Sequence, residues 1–221
     1  MNRETRVGDA LLADQAYARL IELLRSGELR SSQFVSMPEL VEVLDLPLAA
    51  TREAVKRADA RGLVDILPKR GVLVMGAGPE TTRDCLDLRA LLDSEGARRL
   101  VRTGAEPDLG ALRATHLALI EDAERAMTPD LPRRAIATDL SLHDALGASL
   151  GNPLAKDAYN VNRDRIAVIQ NTRPFLPDRI VPAMREHLVI IEALARRDAE
   201  AAVSAIELHY RETLRWWGIL V

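Results

Sequence analysis

The sequence predicts a mainly α-helical protein, an N-terminal winged helix-turn-helix joined to an all-α bundle of six helices. Three observations carry that prediction. The composition is 48% hydrophobic but only 3% aromatic, with Ala, Leu and Arg abundant, which favours helix. Stretches of strand character are confined to "LVDILPKRGVLVM". Beyond residue 79, apolar residues recur at helical spacing in six blocks separated by turn residues.

The first helix is expected over residues 9 to 26, where Leu11, Leu12, Leu20, Ile21, Leu23 and Leu24 share a stripe that ends at Gly27. After a polar loop, "VSMPELVEVL" has the marks of a helix start. Ser36 and Glu39 form a capping box, Pro38 sits in the first turn, and Val35 with Leu40 can close a hydrophobic staple. The short break "DLP" leads to a third helix, "LAATREAVKRADARG", closed by Gly62. "LVDIL" and "GVLVM" then flank the turn "PKR" as a hairpin. This order is that of a winged helix-turn-helix, whose third helix enters the major groove of DNA with the hairpin beside it.

"GAGP" at 76–79 is the clearest linker, so the domains are expected at 1–75 and 80–221. Helices are predicted near 81–103, 108–127, 132–150, 153–171, 178–196 and 199–217. The net charge of −3 gives no global basic signature, and any nucleic-acid role must rest on a local patch. Cys85 is the sole cysteine, no apolar run has the length of a membrane span, and the first twenty residues lack a secretory pattern. These features lead to the expectation of a cytoplasmic protein with no membrane partner.

The chain has four histidines. In "TDLSLHDALG", Asp139 and His143 stand one helical turn apart and therefore share a face. Asp198, a plausible N-cap for the last helix, lies eleven residues after His187 and eleven before His209. If the last two helices fold back about that point, both imidazoles stand level, roughly 16 Å from the turn. Three imidazoles and one carboxylate suit a divalent metal ion, Zn²⁺ first, with Ni²⁺, Mn²⁺ or Fe²⁺ as alternatives. Hydrogen bonding between acid and imidazoles without metal is the bland reading. His116 stands outside the set, as a satisfied or exposed histidine.

With these residues in view, the chain resembles the GntR-family transcriptional regulators that carry a FadR C-terminal (FCD) domain. The N-terminal resemblance lies in "MPELVEVLDLPLAATREAVKRADARGLVDILPKRGVLV". The C-terminal one lies in "LDLRALLDSEGARRL", "DLSLH", "LGNPL", "REHLVIIEAL" and "RRDAEAAVSAIELH". The resemblance implies Asp139, His143, His187 and His209 as metal ligands, beside a cavity for a small carboxylate effector. Arg89 matches a cavity-facing position that could pair with a carboxylate, or else it is an exposed i,i+4 partner of Asp93. Asn162 and Arg165 are further effector-binding candidates.

The residues assigned to DNA contact are Ser36, Thr51, Arg52, Lys56, Lys69 and Arg70. Arg52 is the best reader of a base edge, while Lys69 and Arg70 at the wing tip suit phosphate or minor groove. Here the chain departs from the family pattern. Pro47, Leu48 and Ala50 occupy places where relatives carry a Ser or Thr, an Arg and a Pro, so the third helix loses a side-chain N-cap worth about 1 kcal/mol, unless Asp45 or the Pro substitutes.

The function expected is that of a ligand-responsive repressor binding a palindromic operator as a homodimer, and not an enzyme. Two other readings stay open. A His₃Asp site could hold an activated water for hydrolysis, although no general base or HExxH helix accompanies it. A helical partner-binding module with a decayed DNA-binding half is the third.

Overall fold

The computed structural model describes residues 3–104, 107–172 and 175–219, with only the backbone described for residues 3–10. It divides the chain into two compact units, one of residues 1–81 with 163–172 and one of residues 82–162 with 173–221.

In the first unit, helix α1 (Arg3–Ser26) packs on α3 (Leu48–Ala60), with α2 (Met37–Leu44) between them in sequence. Leu20, Leu23 and Leu24 of α1 are buried with Leu40 and Leu44 of α2 and Ala54, Val55 and Ala58 of α3. The capping box at the start of α2 is formed. Glu39 N–H donates to Ser36 Oγ at 3.4 Å, and Ser36 N–H donates to Glu39 Oε2 at 2.7 Å. Gly62 closes α3 with φ +64°, a left-handed conformation that suits glycine.

The expected hairpin is present as β2 (Val64–Leu67) and β3 (Gly71–Val74), paired from Val64↔Val74 to Leu67↔Gly71. The loop expected before α2 also holds a strand, β1 (Phe34–Val35), which pairs antiparallel with β3. The sheet is therefore three-stranded in the order β1-β3-β2. Two residues are too few to display the alternation by which a strand is recognised.

The second unit holds α4 (Pro79–Thr103, from Thr82 onwards), α5 (Leu109–Arg125), α6 (Leu131–Ala148), α8 (Pro177–Ala195) and α9 (Ala199–Trp216). Helix α7 (Pro153–Thr172) contributes its residues up to Asn162 to this unit, and Arg163–Thr172 group with the first. One core joins Ala97 and Leu100 of α4 to Leu142 and Leu146 of α6, Ile190 and Leu194 of α8, and Ala202 and Ile206 of α9. A second joins Leu119 and Ile120 of α5 to Leu131, Ala135, Ile180 and Met184.

Gly96 sets the approach of α4 to α6, because a Cβ there would overlap the carbonyl oxygen of Leu146. The close approach also carries Arg89 and Asp93 towards α6, since they lie two turns and one turn before Gly96 on the same helix. No helix among the described residues is long and apolar enough to cross a membrane.

Candidate metal centre

Helix α6 buries Asp139 and His143 on one face, and α8 and α9 bring His187 and His209 to the same place. Asp198 caps α9, accepting from Ala201 N–H at 3.0 Å, so the helical hairpin turns where the spacing of the two histidines requires. One ligand atom from each of the four residues can be chosen so that all lie within 4.8 Å of one another. His187 Nε2 is 3.5 Å and His143 Nε2 is 3.9 Å from Asp139 Oδ1. All four residues are buried.

The outward nitrogens of two of these histidines have carboxylate partners that fix their tautomers. His143 Nδ1 is 2.7 Å from Asp93 Oδ2, and His209 Nδ1 is 2.7 Å from Glu186 Oε2. A carboxylate oxygen only accepts, so each Nδ1 carries the proton and each Nε2 keeps its lone pair directed inward. Glu186 is itself held by Arg179, whose Nη2 donates to Glu186 Oε2 at 2.7 Å and to Thr213 Oγ1 at 3.3 Å. Burial raises the Glu186 carboxyl, but hydrogen bonds from His209 and Arg179 outweigh it and hold the group ionised. The Arg179 guanidinium also lies 5.9 Å from the Trp216 ring centroid.

Burial pushes His187 well below the ordinary imidazole range, and it pushes His209 down as well. Both rings are therefore held in the neutral form at physiological pH. His143 Nε2 is buried and has no hydrogen-bond partner among the described residues. His187 Nε2 and His209 Nε2 approach to 3.2 Å. A tetrahedral ion with bonds near 2.0–2.1 Å sets its nitrogens about 3.3 Å apart, so the donor set fits a divalent cation. The cluster is thus a buried Asp/His site that could hold a metal ion.

Of the effector candidates, Arg89 belongs to the cluster. It is buried, and its Nη1 stands 3.7 Å from Asp139 Oδ2 without making a hydrogen bond. The alternative of an exposed partner for Asp93 is excluded, because Asp93 is buried against His143. Asn162 donates to the Cys85 carbonyl at 2.8 Å, one turn before Arg89 on α4, and its Oδ1 is buried without a partner among the described residues. Arg165 is corrected. It lies in the first unit, where its Nη2 donates to the Arg61 carbonyl at 2.6 Å and its Nε at 3.2 Å, so it is engaged at the end of α3 rather than at the cluster.

At the expected DNA-reading end, Arg52 and Lys56 are exposed on α3, and Lys69 and Arg70 are exposed in the turn between β2 and β3. Thr51 is corrected. It is fully buried, with its hydroxyl 3.3 Å from the Leu46 carbonyl, and so has no surface to offer DNA. Ser36 is half-buried and occupied in capping α2. The N-cap of α3 is Pro47 with no side-chain hydrogen bond, and Asp45 is the left-handed C-cap of α2 rather than a substitute. Arg57 and Arg61 turn towards α1, to Asp14 at 2.6 Å and to the Tyr17 hydroxyl at 3.2 Å.

Residues 84–212 match the FCD domain family. The chain belongs to the FCD-domain family. An uncharacterized HTH-type transcriptional regulator of Agrobacterium vitis, from the TAR-I ttuE-ttuC' intergenic region, is 26% identical over 64% of this chain and 82% of its own length. The HTH-type transcriptional repressor NanR of Citrobacter rodentium is 24% identical over 95% of this chain and 86% of its own length. Among solved structures, E. coli McbR/YncC has a TM-score of 0.75 at 16% identity, over 94% of this chain and 97% of that one. A GntR regulator from Rhodococcus sp. RHA1 has a TM-score of 0.75 at 18% identity, over 95% of this chain and 99% of that one. Together with the FCD match, these place the chain among transcriptional regulators of the GntR/FCD type rather than among enzymes.

Asp93, Glu186 and Arg179 brace the cluster, and His116 Nε2 lies 3.1 Å from His187 Nδ1; sequence reading assigned none of these four to it. Asp93 invited pairing with Arg89, four residues earlier on the same helix, whereas both side chains turn to α6 instead. Glu186 precedes His187 in "REHL" yet serves His209, a choice made by hairpin packing and invisible to local spacing.

Proposed function

We propose that the protein is a ligand-responsive repressor that binds a divalent cation, Zn²⁺ first, through Asp139, His143, His187 and His209. The observation that carries this reading is the convergence of four buried ligand groups, three of them imidazoles with fixed or neutral inward nitrogens. Bound there, the cation would offer a coordination position to a carboxylate and would lower the electrostatic cost of burying one. Arg89, buried with a hydrogen-bonding atom unused, would take the same carboxylate's second oxygen. A small carboxylate metabolite is therefore the proposed effector.

Residues 1–75 would bind DNA and residues 80–221 would sense, with 76–79 joining them. Arg52 would read a base edge, and Lys56, Lys69 and Arg70 would contact phosphates, with Ser36 supporting through its cap. A homodimer on a palindromic operator would supply the specificity that one recognition helix lacks, in the cytoplasm where the operator lies. Effector control requires that the carboxylate bind differently to the DNA-competent and DNA-released arrangements.

Fluorescence anisotropy with DNA from the promoter regions beside its own gene tests the reading. Salt-dependent binding that weakens on adding Zn²⁺ with a small carboxylate is expected. Absent or salt-insensitive binding on every fragment, with and without these additions, would overturn it.

A further inference from the structure

The first unit takes in one segment from far along the chain, the last turns of α7 at Arg163–Thr172. Ile166 to Gln170 are all buried. A run of that length covers the whole circumference of a helix, so the segment is enclosed. Its polar side chains go to the ends of two other helices, where the last carbonyls have no partner within the helix. Arg165 donates to the carbonyl of Arg61, the C-cap residue of α3, from Nη2 at 2.6 Å and from Nε at 3.2 Å. Asn171 Nδ2 donates to the Leu24 and Arg25 carbonyls in the last turn of α1, at 3.0 and 3.1 Å. Asp164, which is buried, accepts from Arg25 Nε at 2.7 Å.

Both helix ends leave room for these contacts. Gly62 follows α3 with φ +64°, and Gly27 follows α1 with φ +80°. A Cβ on Gly62 would stand 2.6 Å from Arg165 Nη2, and one on Gly27 would stand 3.1 Å from Asn171 Cγ. The Arg165 guanidinium also sets a positive charge at the negative end of the α3 dipole. Arg61 ties the same point to α1, since its Nη1 lies 3.2 Å from the Tyr17 hydroxyl. Helix α3 is the one that exposes Arg52 and Lys56.

We propose that Arg165 and Asn171 are positioning residues for DNA recognition. They hold the C-terminal ends of α3 and α1, so that the face carrying Arg52 is presented in one orientation. The DNA-binding unit then comprises residues 1–75 together with 163–172. The proposal rests on the DNA-binding reading above for its purpose, while the docking of α7 rests on the contacts alone. Asn162, two residues before Asp164 on the same helix, donates to the Cys85 carbonyl of the second unit. Less than one turn of α7 therefore separates a side chain anchored in the sensing unit from those anchored in the DNA-binding unit.

The test uses the full-length chain and its Arg165→Met, Arg165→Lys and Asn171→Ala variants. Anisotropy compares the tightest-binding promoter fragment beside its own gene with a scrambled fragment of equal length. Hydrogen exchange read by mass spectrometry follows the helix ends. A change that only lowers the folded fraction weakens both DNAs alike and leaves their ratio intact. Arg165→Met should lower the ratio of specific to non-specific affinity about tenfold, because a misplaced base-reading Arg forfeits its discrimination. Lysine keeps a cation and a donor at the end of α3, so Arg165→Lys should recover part of that loss. Exchange should quicken over 58–63 in Arg165→Met and over 23–29 in Asn171→Ala. Unchanged exchange at these ends would overturn the docking, whether or not DNA binds. Faster exchange with an unchanged affinity ratio would overturn the positioning role. Wild-type protein that binds none of the fragments would instead remove the DNA-binding reading, and exchange would still decide the docking.

Discussion

His187 Nε2 and His209 Nε2 lie 3.2 Å apart in the buried interior, each on a ring that burial keeps neutral. His209 Nε2 has no proton to give, because Glu186 holds that proton on Nδ1. His187 Nε2 lies at hydrogen-bond distance from that lone pair, and Asp139 Oδ1 is 3.5 Å from the same His187 nitrogen. These atoms thus stand where a single cation could be shared among them.

Metal should raise stability in proportion to its affinity. Zn²⁺ at about a thousand times its dissociation constant adds about 4 kcal/mol to the folded state. Thermal unfolding before and after chelation checks this. His187→Ala and His209→Ala should each melt at the same temperature with and without Zn²⁺, and a preserved metal-dependent shift in either would contradict the site.

The metal-free protein should lose stability on mild acidification. His187, His209 and His116 all titrate below their ordinary value of 6.5 in the fold, because of burial. Above pH 6.5 neither state takes up protons on these groups. Below it the unfolded chain gains protons that the folded chain refuses, at about 1.4 kcal/mol per histidine per pH unit until the folded value is reached. Denaturant midpoints between pH 7.5 and 5 should fall, and a flat profile would contradict the burial of neutral rings.

Arg179 should matter to both stability and metal. Arg179→Met leaves the Glu186 carboxylate with His209 as its remaining partner among the described residues, and breaking a buried pair in this way costs about 3 kcal/mol. Zn²⁺ affinity should fall with it, since Glu186 orients His209. Chemical denaturation and calorimetry read the two effects separately.

Gly96→Ala should act through helix spacing. Alanine is the better helix former by about 0.5–1 kcal/mol, but its methyl would displace α4 from the Leu146 carbonyl at a cost of about 1–3 kcal/mol. The net change should be destabilising, with weaker Zn²⁺ binding because Asp93 and Arg89 ride on the same helix. A stabilised variant with unchanged affinity would show that the contact is not limiting.

DNA affinity should separate by residue. Arg52→Ala should cost about 1–3 kcal/mol on the operator and relax specificity at one base position. Lys69→Ala should weaken all sequences alike and reduce the salt slope by about one. Anisotropy titrations across salt concentrations distinguish the two patterns.

Much of this architecture was legible in the sequence, because helices announce themselves by period and punctuation. The Ser36 capping box, the Gly62 closure and the Asp198 cap all appear where residue types require them. The clustering of Asp139, His143, His187 and His209 could be anticipated because two of them lie one turn apart and the other two lie equidistant from a turn. What could not be read was anything decided across elements. The strand at Phe34–Val35 depends on β3 for its hydrogen bonds. Thr51 looks like an exposed polar residue on a basic helix, and only packing hides it. Arg165 is bound to a carbonyl more than a hundred residues away in sequence.

The central claim is that these four side chains hold one cation. A crystal structure of protein grown with Zn²⁺, with anomalous data recorded on both sides of the zinc edge, tests it directly. The account predicts a single strong peak about 2.0–2.2 Å from the Nε2 atoms of His143, His187 and His209 and from a carboxylate oxygen of Asp139. No peak there, with the His187 and His209 rings turned away from each other, would contradict it.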